Sequence, residues 1–323
     1  MKKHTTFLLS LLFLSLGILI SACDSDLKTD LKTDFETDLE QNEQPNKNKP
    51  NTSVQVTDFS GKTISLESPA QRIVALAPHI VENIYSAGAG EKLVGVMQYS
   101  DYPEQAKQLP LIGSYEKINF EKIIELNPDL VMAWESGNSH ASTQRLKELG
   151  FPVYIDQPHN LSDVAKSVKD IGILTGNTTY ANEIATAYLA QVAKVTAKYE
   201  NASKITAFYQ VWNQPLQTIN GQHIISDAIE TCGGVNIYAN EFAVAPVINI
   251  ESILERDPQV IIASGVSESR PEWLDEWLKW PSLEAVKRGN LFFVNPNHVQ
   301  RHTLRLLSGI ESICEQLDVA REQ

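Results

Sequence analysis

The chain states one helix–strand phrase twice: EKIIELNPDLVMAW begins at Glu121 and ESILERDPQVIIAS begins at Glu251. In each copy an asparagine, Asn119 or Asn249, stands two residues ahead of the acid, where its side chain can cap a helix. A proline, Pro128 or Pro258, stands where that helix must stop. The apolar run that follows reads as a strand covered on both faces. A unit repeated in this way predicts two lobes of one plan.

The surrounding pattern fills in those lobes. VQVTDFSGKTISL alternates around Ser60-Gly61 as a small hairpin does. RIVALAP, KLVGVM, DLVMAW and PVYI read as strands, with helices from Glu121 and over residues 143–150 between them. The second half repeats the rhythm with KITAFYQVW, a helix over residues 223–231, QVIIASG, a helix over residues 281–288, LFFV and a last helix from about Arg301. Alternating β and α elements predict an α/β fold with a central parallel sheet in each lobe. Between the halves, Tyr180, Ile184, Tyr188, Val192, Val195 and Tyr199 form one stripe of a long helix, with Asn177 as its expected cap. The expected division is an N-terminal lobe over 53–175, a connecting helix over 176–202 and a C-terminal lobe over 203–323.

The start of the chain is an address. Lys2 and Lys3 precede an apolar run from Phe7 to Ile20 that is short for a bilayer span. It ends in Ile20-Ser21-Ala22-Cys23, which resembles the bacterial lipoprotein signal, so residues 1–22 are expected to be removed and Cys23 lipidated. Asp24 resembles the mark for retention at the inner membrane. The net charge of −13 argues against a nucleic-acid footprint, and −6 of it lies in residues 24–45, which contain the acidic repeat DLKT, DLKT, DFET, DLEQ. Residues 23–52 read as a disordered tether. Cys232 and Cys314 remain, either bridged, as export favours, or as two buried thiols.

Ligands of open parallel sheets sit at the carboxyl ends of the strands. Those ends carry Pro78 and His79, the run Tyr99-Ser100-Asp101-Tyr102, Trp134, Trp212 and the stretch from Asn295 to Arg301, which holds Asn297, His298, Val299 and Gln300. Rings with amide, imidazole and guanidinium groups between them suit a large flat ligand with a polar rim. No G-x-S-x-G, P-loop, dinucleotide fingerprint or H-E-x-x-H motif is present, so no catalytic residue is assigned. His298 and His302 stand four apart with only His79 as an obvious third ligand and no acid suitably placed, and no metal site is expected.

QRIVALAP, NFEKIIELNPDLVMAW, the joining helix and AVKRGNLFFV together resemble the periplasmic binding proteins of ABC importers for iron-siderophores, haem and cobalamin. YSDYPEQA, AWESGN, TCGGVNI and VNPNHVQR resemble the cobalamin-binding members most. The resemblance implies a monomer with no catalysis and no cofactor of its own. Such a protein carries cobalamin in the periplasm to a permease with its ATPase, anchored at the inner membrane through Cys23. It implies corrinoid contacts from Tyr99 and Trp134, a closing loop from Asn297 to Arg301, permease docking through Glu121 and Glu251, and a Cys232–Cys314 disulfide. Tyr115 stands where those members carry a tryptophan. Ala245 replaces another aromatic, for which Trp212 and Phe242 are near enough to compensate. The loop's Asn297–Gln300 set is less acidic and less aromatic, and His298 opens a route to cobalt coordination. Haem or iron-siderophore cargo is the alternative within the family, with Tyr99 or His79 as axial group, and a periplasmic hydrolase the alternative outside it.

Overall fold

The computed structural model describes residues 52–323, so the expected leader, Cys23 and nearly all of the tether lie outside the described residues. Chain order begins with a hairpin, β1 (Val54–Thr57) and β2 (Thr63–Leu66). Asp58 organises its turn: Oδ1 accepts from Ser60 N, Ser60 Oγ and Lys62 N, while Oδ2 accepts from Ile155 N of the first sheet. That sheet is fully parallel, with β3 (Ile73–Ala75), β4 (Leu93–Val96), β5 (Leu130–Trp134) and β6 (Val153–Asp156) in the order β4-β3-β5-β6. In the second half come β7 (Ile205–Gln210), a two-strand flap of β8 (Trp212–Asn213) and β9 (Leu216–Gln217), then β10 (Gly234–Asn236), β11 (Val260–Ala263) and β12 (Leu291–Phe293). The second sheet is parallel in the order β10-β7-β11-β12. Each sheet thus puts its first strand second, its second strand on the edge, and its third and fourth beyond. The fold is two βα lobes of identical strand order.

The helices are α1 (Pro78–Ser86), α2 (Phe120–Leu126), α3 (His140–Glu148), α4 (Leu161–Thr175), α5 (Thr178–Tyr199), α6 (Ile224–Thr231), α7 (Ile250–Arg256), α8 (Glu284–Lys287), α9 (Pro296–Val299) and α10 (Leu306–Arg321). The repeated phrase occupies α2–β5 and α7–β11. Asn119 Oδ1 accepts from Lys122 N and Asn249 Oδ1 from Ser252 N, both at 2.9 Å, satisfying one orphan donor per helix. Asn127 and Asp257 end the two helices in the left-handed region, at φ 43° and 40°. Ile123 and Ile253 are both fully buried. The residue after each proline ties down the sheet's first strand: the Asp129 carboxylate accepts from Gln71 N and Arg72 N, and Gln259 Oε1 from Thr206 N. The repeat therefore encodes a complete joint: cap, stop, and anchor of the next strand to its neighbour.

The 22-residue α5 joins the halves and packs along α4. A Cβ at Gly172 of α4 would lie 2.2 Å from Ala181 Cβ, so glycine is what allows the two helices to approach this closely. Cys232, at the end of α6, is bonded to Cys314 of α10, 82 residues away.

Several local expectations need correction. Tyr180 is half exposed and Ala181 takes its place on the buried stripe, because α5 turns its small residues towards α4. Asn177 sits at the cap position but makes no side-chain cap bond; its Nδ2 donates to Gly88 O. The 143–150 helix starts earlier, at His140, where Ser139 caps it. The 281–288 helix is only Glu284–Lys287. The last helix begins at Leu306, because Arg301 to Arg305 form a turn whose side chains are engaged elsewhere. Helices α1 and α4 are additional to the expected set.

Candidate ligand-binding cleft

Where the carboxyl ends of the two sheets meet, a cleft of about 990 Å³ opens between the lobes. That is at the upper end of the roughly 300–1,000 Å³ of small-molecule sites. The N-terminal lobe contributes Pro78, His79, Tyr99, Asp101 and Trp134; the C-terminal lobe contributes Tyr209, Val211, His223, Ile225, the stretch from Val266 to Glu268, Pro296, Asn297 and the run from Gln300 to His302.

Trp134 closes β5, and three local features fix its ring. Asn138 Oδ1 accepts from Trp134 N at 2.7 Å, and Asn138 Nδ2 donates to Leu76 O at 3.0 Å. A Cβ on Gly137 would lie 1.8 Å from the indole, so the ring can rest there only over glycine. His79 stands edge-on to this ring at 5.1 Å and hydrogen-bonds through Nε2 to Asp156, whose other oxygen accepts from Ser167. His302 is edge-on to Trp134 at 6.0 Å, with the rings of His79 and His223 at 5.5 and 6.0 Å from its own. Burial first, then the neighbouring His79, His223 and His159, hold His302 well below the ordinary imidazole range. Burial, helped by His159, pushes His223 down to about 4. Its neutral Nδ1 caps α6 by accepting from Ile225 N. Among the described residues no group of three or more His, Cys, Asp and Glu side chains is arranged to hold a metal ion.

Behind the lining, one buried acid holds the arginines of the C-terminal lobe. Glu82, in the middle of α1, has a side chain 2% exposed and receives Arg301 Nη1 at 2.8 Å, Arg305 Nε at 2.9 Å and Arg305 Nη2 at 2.6 Å. Arg301 also pairs with Asp101 at 2.7 Å and donates to Tyr99 O, while Arg305 lies 3.9 Å from the centroid of the Tyr102 ring. Burial lowers the Arg301 pKa, but the hydrogen bonds to Asp101 and Glu82 outweigh it and the net shift is upward. Tyr99 adopts φ 68°, sparsely populated for a residue with a side chain, and is 68% exposed. The two arginines of one lobe thus hold the aromatic rim of the other.

Of the residues singled out from the sequence, the cleft brings together Pro78, His79, Tyr99, Trp134, Asn297, Gln300 and Arg301. Tyr115, three-quarters exposed, and Trp212, on the flap with its indole N–H donated to Gln214 O, are not part of its lining. His298 is half-buried on α9 and off the lining, and Val299 is fully buried in the core against α10. His302 and His223 went unassigned as cleft groups, as did Glu82 behind Arg301, because turns and distant partners rather than strand ends deliver them, whereas Asp101, read with Tyr99 after the second strand, does lie on the lining. Glu121 and Glu251 are exposed in the first turns of α2 and α7, one on each lobe. A smaller cavity of about 460 Å³, beside His159, Asp227 and Glu230, has no aromatic ring beyond that histidine in its lining and does not match the ring-lined reading.

The family model for periplasmic binding proteins matches residues 73–297. The chain belongs to the periplasmic binding protein family. Among relatives, the vitamin B12-binding protein of Vibrio campbellii is 34% identical over 255 residues, which is 79% of this chain and 92% of that protein. The vitamin B12-binding protein of Yersinia pestis is 32% identical over 77% of this chain and 86% of its own length. In structure, this periplasmic binding protein is similar to the crystallised vitamin B12 binding protein BtuF of Vibrio cholerae, with a TM-score of 0.73 and 34% identity, covering 79% of this chain and 99% of that one. The haem-binding protein RhuT of Roseiflexus, at a TM-score of 0.68 and 21% identity, shares the fold.

Proposed function

We propose that this protein captures cobalamin (vitamin B12) in the inter-lobe cleft and delivers it to the permease and ATPase of an ABC importer, with no catalysis and no cofactor of its own. The observation that carries this reading is the ring-lined cleft in a chain 34% identical to a vitamin B12-binding protein along 92% of that protein's length. Tyr99 and Trp134 offer aromatic surface to a flat macrocycle, and Asn297, Gln300 and Arg301 face its polar rim. The lobes correspond to residues 53–175 and 203–323, with 176–202 as strut. In this reading residues 1–22 are a cleaved leader, and lipidated Cys23 with the following tether holds a monomer at the inner membrane, facing the periplasm. Glu121 and Glu251 project from equivalent turns of the two lobes, as a symmetric permease requires. The first-turn acids also favour their helices by about 0.3–1 kcal/mol, a role compatible with docking.

Titration calorimetry with cyanocobalamin, dicyanocobinamide and haem in parallel tests the cargo. Saturation by one equivalent of cyanocobalamin, recovered unchanged, with no response to haem, supports the assignment. Haem binding without cobalamin binding refutes it in favour of the haem carriers, and turnover of the ligand refutes it in favour of an enzyme. Glu121→Lys with Glu251→Lys should leave cargo affinity intact and abolish uptake; equal loss of affinity would remove the docking role.

A further inference from the structure

The positive charges that reach the cleft are all paired within the protein. Among the described residues Arg301 is the one arginine or lysine on the lining. Its Nη1 serves Glu82 at 2.8 Å and Asp101 at 2.7 Å, and its Nη2 donates to Tyr99 O. Arg305, behind it, gives Nε and Nη2 to Glu82. Glu268 is an exposed residue of the lining, and its Oε1 accepts from Asn297 Nδ2, also on the lining, at 2.6 Å. Two arginines therefore stand against three acids. His223 and His302 add nothing to the positive side at neutral pH, since burial keeps both imidazoles uncharged. His79 is bonded to the buried Asp156, and that pair is neutral at most.

The two acids on the lining are open to cargo and fixed in place. The Asp101 side chain, on the N-terminal lobe, is 48% exposed, and Arg301 holds its Oδ1. The Glu268 carboxylate, on the C-terminal lobe, is held by Asn297. A carboxylate can accept the N–H of an amide arm in a charge-assisted hydrogen bond, but it repels another carboxylate. An anionic cargo needs a cation with donors to spare. Arg301 could serve it only by leaving Asp101 or Glu82, and the second exchange strands a buried acid.

We propose that Asp101 and Glu268 act as a charge filter, one acid on each lobe, that admits neutral cargo and turns away anionic cargo of the same size and flatness. The proposal rests on the cobalamin reading and sharpens it, because the arms of a corrinoid are amides whereas haem carries two carboxylates. It gives these acids a role separate from the stacking surface of Tyr99 and Trp134. A unit charge several ångströms from the cargo, in a medium between water and a protein surface, changes affinity by about 3- to 30-fold and fades as salt rises.

Calorimetry tests the filter with two corrinoids of one ring system: dicyanocobinamide, whose arms are amides, and dicyanocobyrinic acid, whose arms are carboxylates. Wild type, Asp101→Asn, Glu268→Gln and the double variant are compared at about 0.01 M and about 1 M salt, where charge is felt over about 30 Å and about 3 Å. At low salt each single variant should bind the carboxylate corrinoid about 3- to 30-fold more tightly than wild type does, and the double variant more tightly still. High salt should erase most of that gain. Where wild type shows no heat with the carboxylate corrinoid, its appearance in the double variant is the supporting result. No gain beyond about twofold in the double variant at low salt overturns the proposal while the cobalamin reading stands, and so does a loosened cleft that weakens both corrinoids. Glu125→Gln removes an exposed acid off the lining, and an equal gain there would reduce the effect to net charge and overturn the filter. If Asp101→Asn does not fold, Glu268→Gln, at an exposed position, decides. Wild-type protein that binds neither corrinoid overturns both the reading and the filter.

Discussion

Replacing Glu82 by glutamine keeps the volume and removes the charge at the centre of the inter-lobe contact. Losing one partner of a buried ion pair costs about 3–5 kcal/mol. Three features reduce that here. Arg301 keeps Asp101 at 2.7 Å, Arg305 is 23% exposed and rests on Tyr102, and the glutamine oxygen can still accept one N–H. The expected loss is therefore about 2–3 kcal/mol. Unfolding entropy near 2.1 cal/mol/K per residue over the compact unit Asn51–Gln323 gives roughly 2 °C per kcal/mol, so the melting temperature should fall by about 4–6 °C. Scanning calorimetry at neutral pH measures it. The internal reference is Glu125→Gln, which breaks the exposed Lys122–Glu125 pair at 3.0 Å within α2 and should shift melting by no more than about 1 °C. A Glu82→Gln shift no larger than that reference would refute the idea that this carboxylate holds the arginines in place.

Acid should destabilise the fold through His223. Its folded pKa near 4 lies below the ordinary 6.5, so its contribution is complete above about pH 6.5 and is lost as pH falls towards 4, by on the order of 3 kcal/mol. His302 adds to the same slope, and His223→Asn, which keeps a cap acceptor but does not titrate, should show a smaller melting shift between pH 7 and 4.5. Asn119→Ala and Asn249→Ala should each cost about 1 kcal/mol in urea unfolding and add in the double variant, since each cap serves its own lobe. A double variant costing no more than either single would remove the equivalence of the repeat. Gly137→Ala should displace the Trp134 indole and lower corrinoid affinity at least tenfold by calorimetry, while Gly289→Ala, where a Cβ meets nothing but φ is 70°, should lower stability and leave the affinity of the folded protein unchanged.

The sheets and the repeated joint were legible because their signals are local. Asn119, Pro128 and the run Leu130–Trp134 each act within a few residues, and the second copy confirms the reading. Helix α1 was not separable from the apolar run before it, since Pro78 opens the helix within two residues of β3's hydrophobic continuation. Helix α4 did carry a signal, the reciprocal cap of Asn160 and Asp163, that the alternation of strands overshadowed. At the site, Trp134, His79 and Arg301 follow from the rule that ligands gather at strand ends. Glu82 does not, because an acid inside an amphipathic helix reads as solvent-facing until partners 219 and 223 positions away are known. His302 and His223 were hidden for the same reason: their ring contacts, with each other and, for His302, with His79 of the other lobe, join residues far apart in the chain.

Resistance to lobe opening is expected from more than one source. The sequence points to α5, a single packed helix, as the brace between the halves. Three ties across the lobes work alongside it: the Glu82 cluster, Asn83 Nδ2 donating to His302 O of the C-terminal lobe at 3.0 Å, and Asp227 Oδ2 accepting from Leu161 N at 2.8 Å. The last of these satisfies an orphan donor at the start of α4 with an acid from α6, so separating the lobes there exposes a helix terminus as well as a charge. The Glu82 tie is the costly one to break, because its acid is buried and cannot reach water without the lobes parting widely. A hinge motion of several ångströms would have to rupture all three at once, whereas side-chain adjustments of Tyr99 and Gln300 at the rim rupture none. These ties predict a cleft shaped before cargo arrives, so that little binding energy is consumed in assembling it; a large lobe rotation between free and bound crystal forms would refute this.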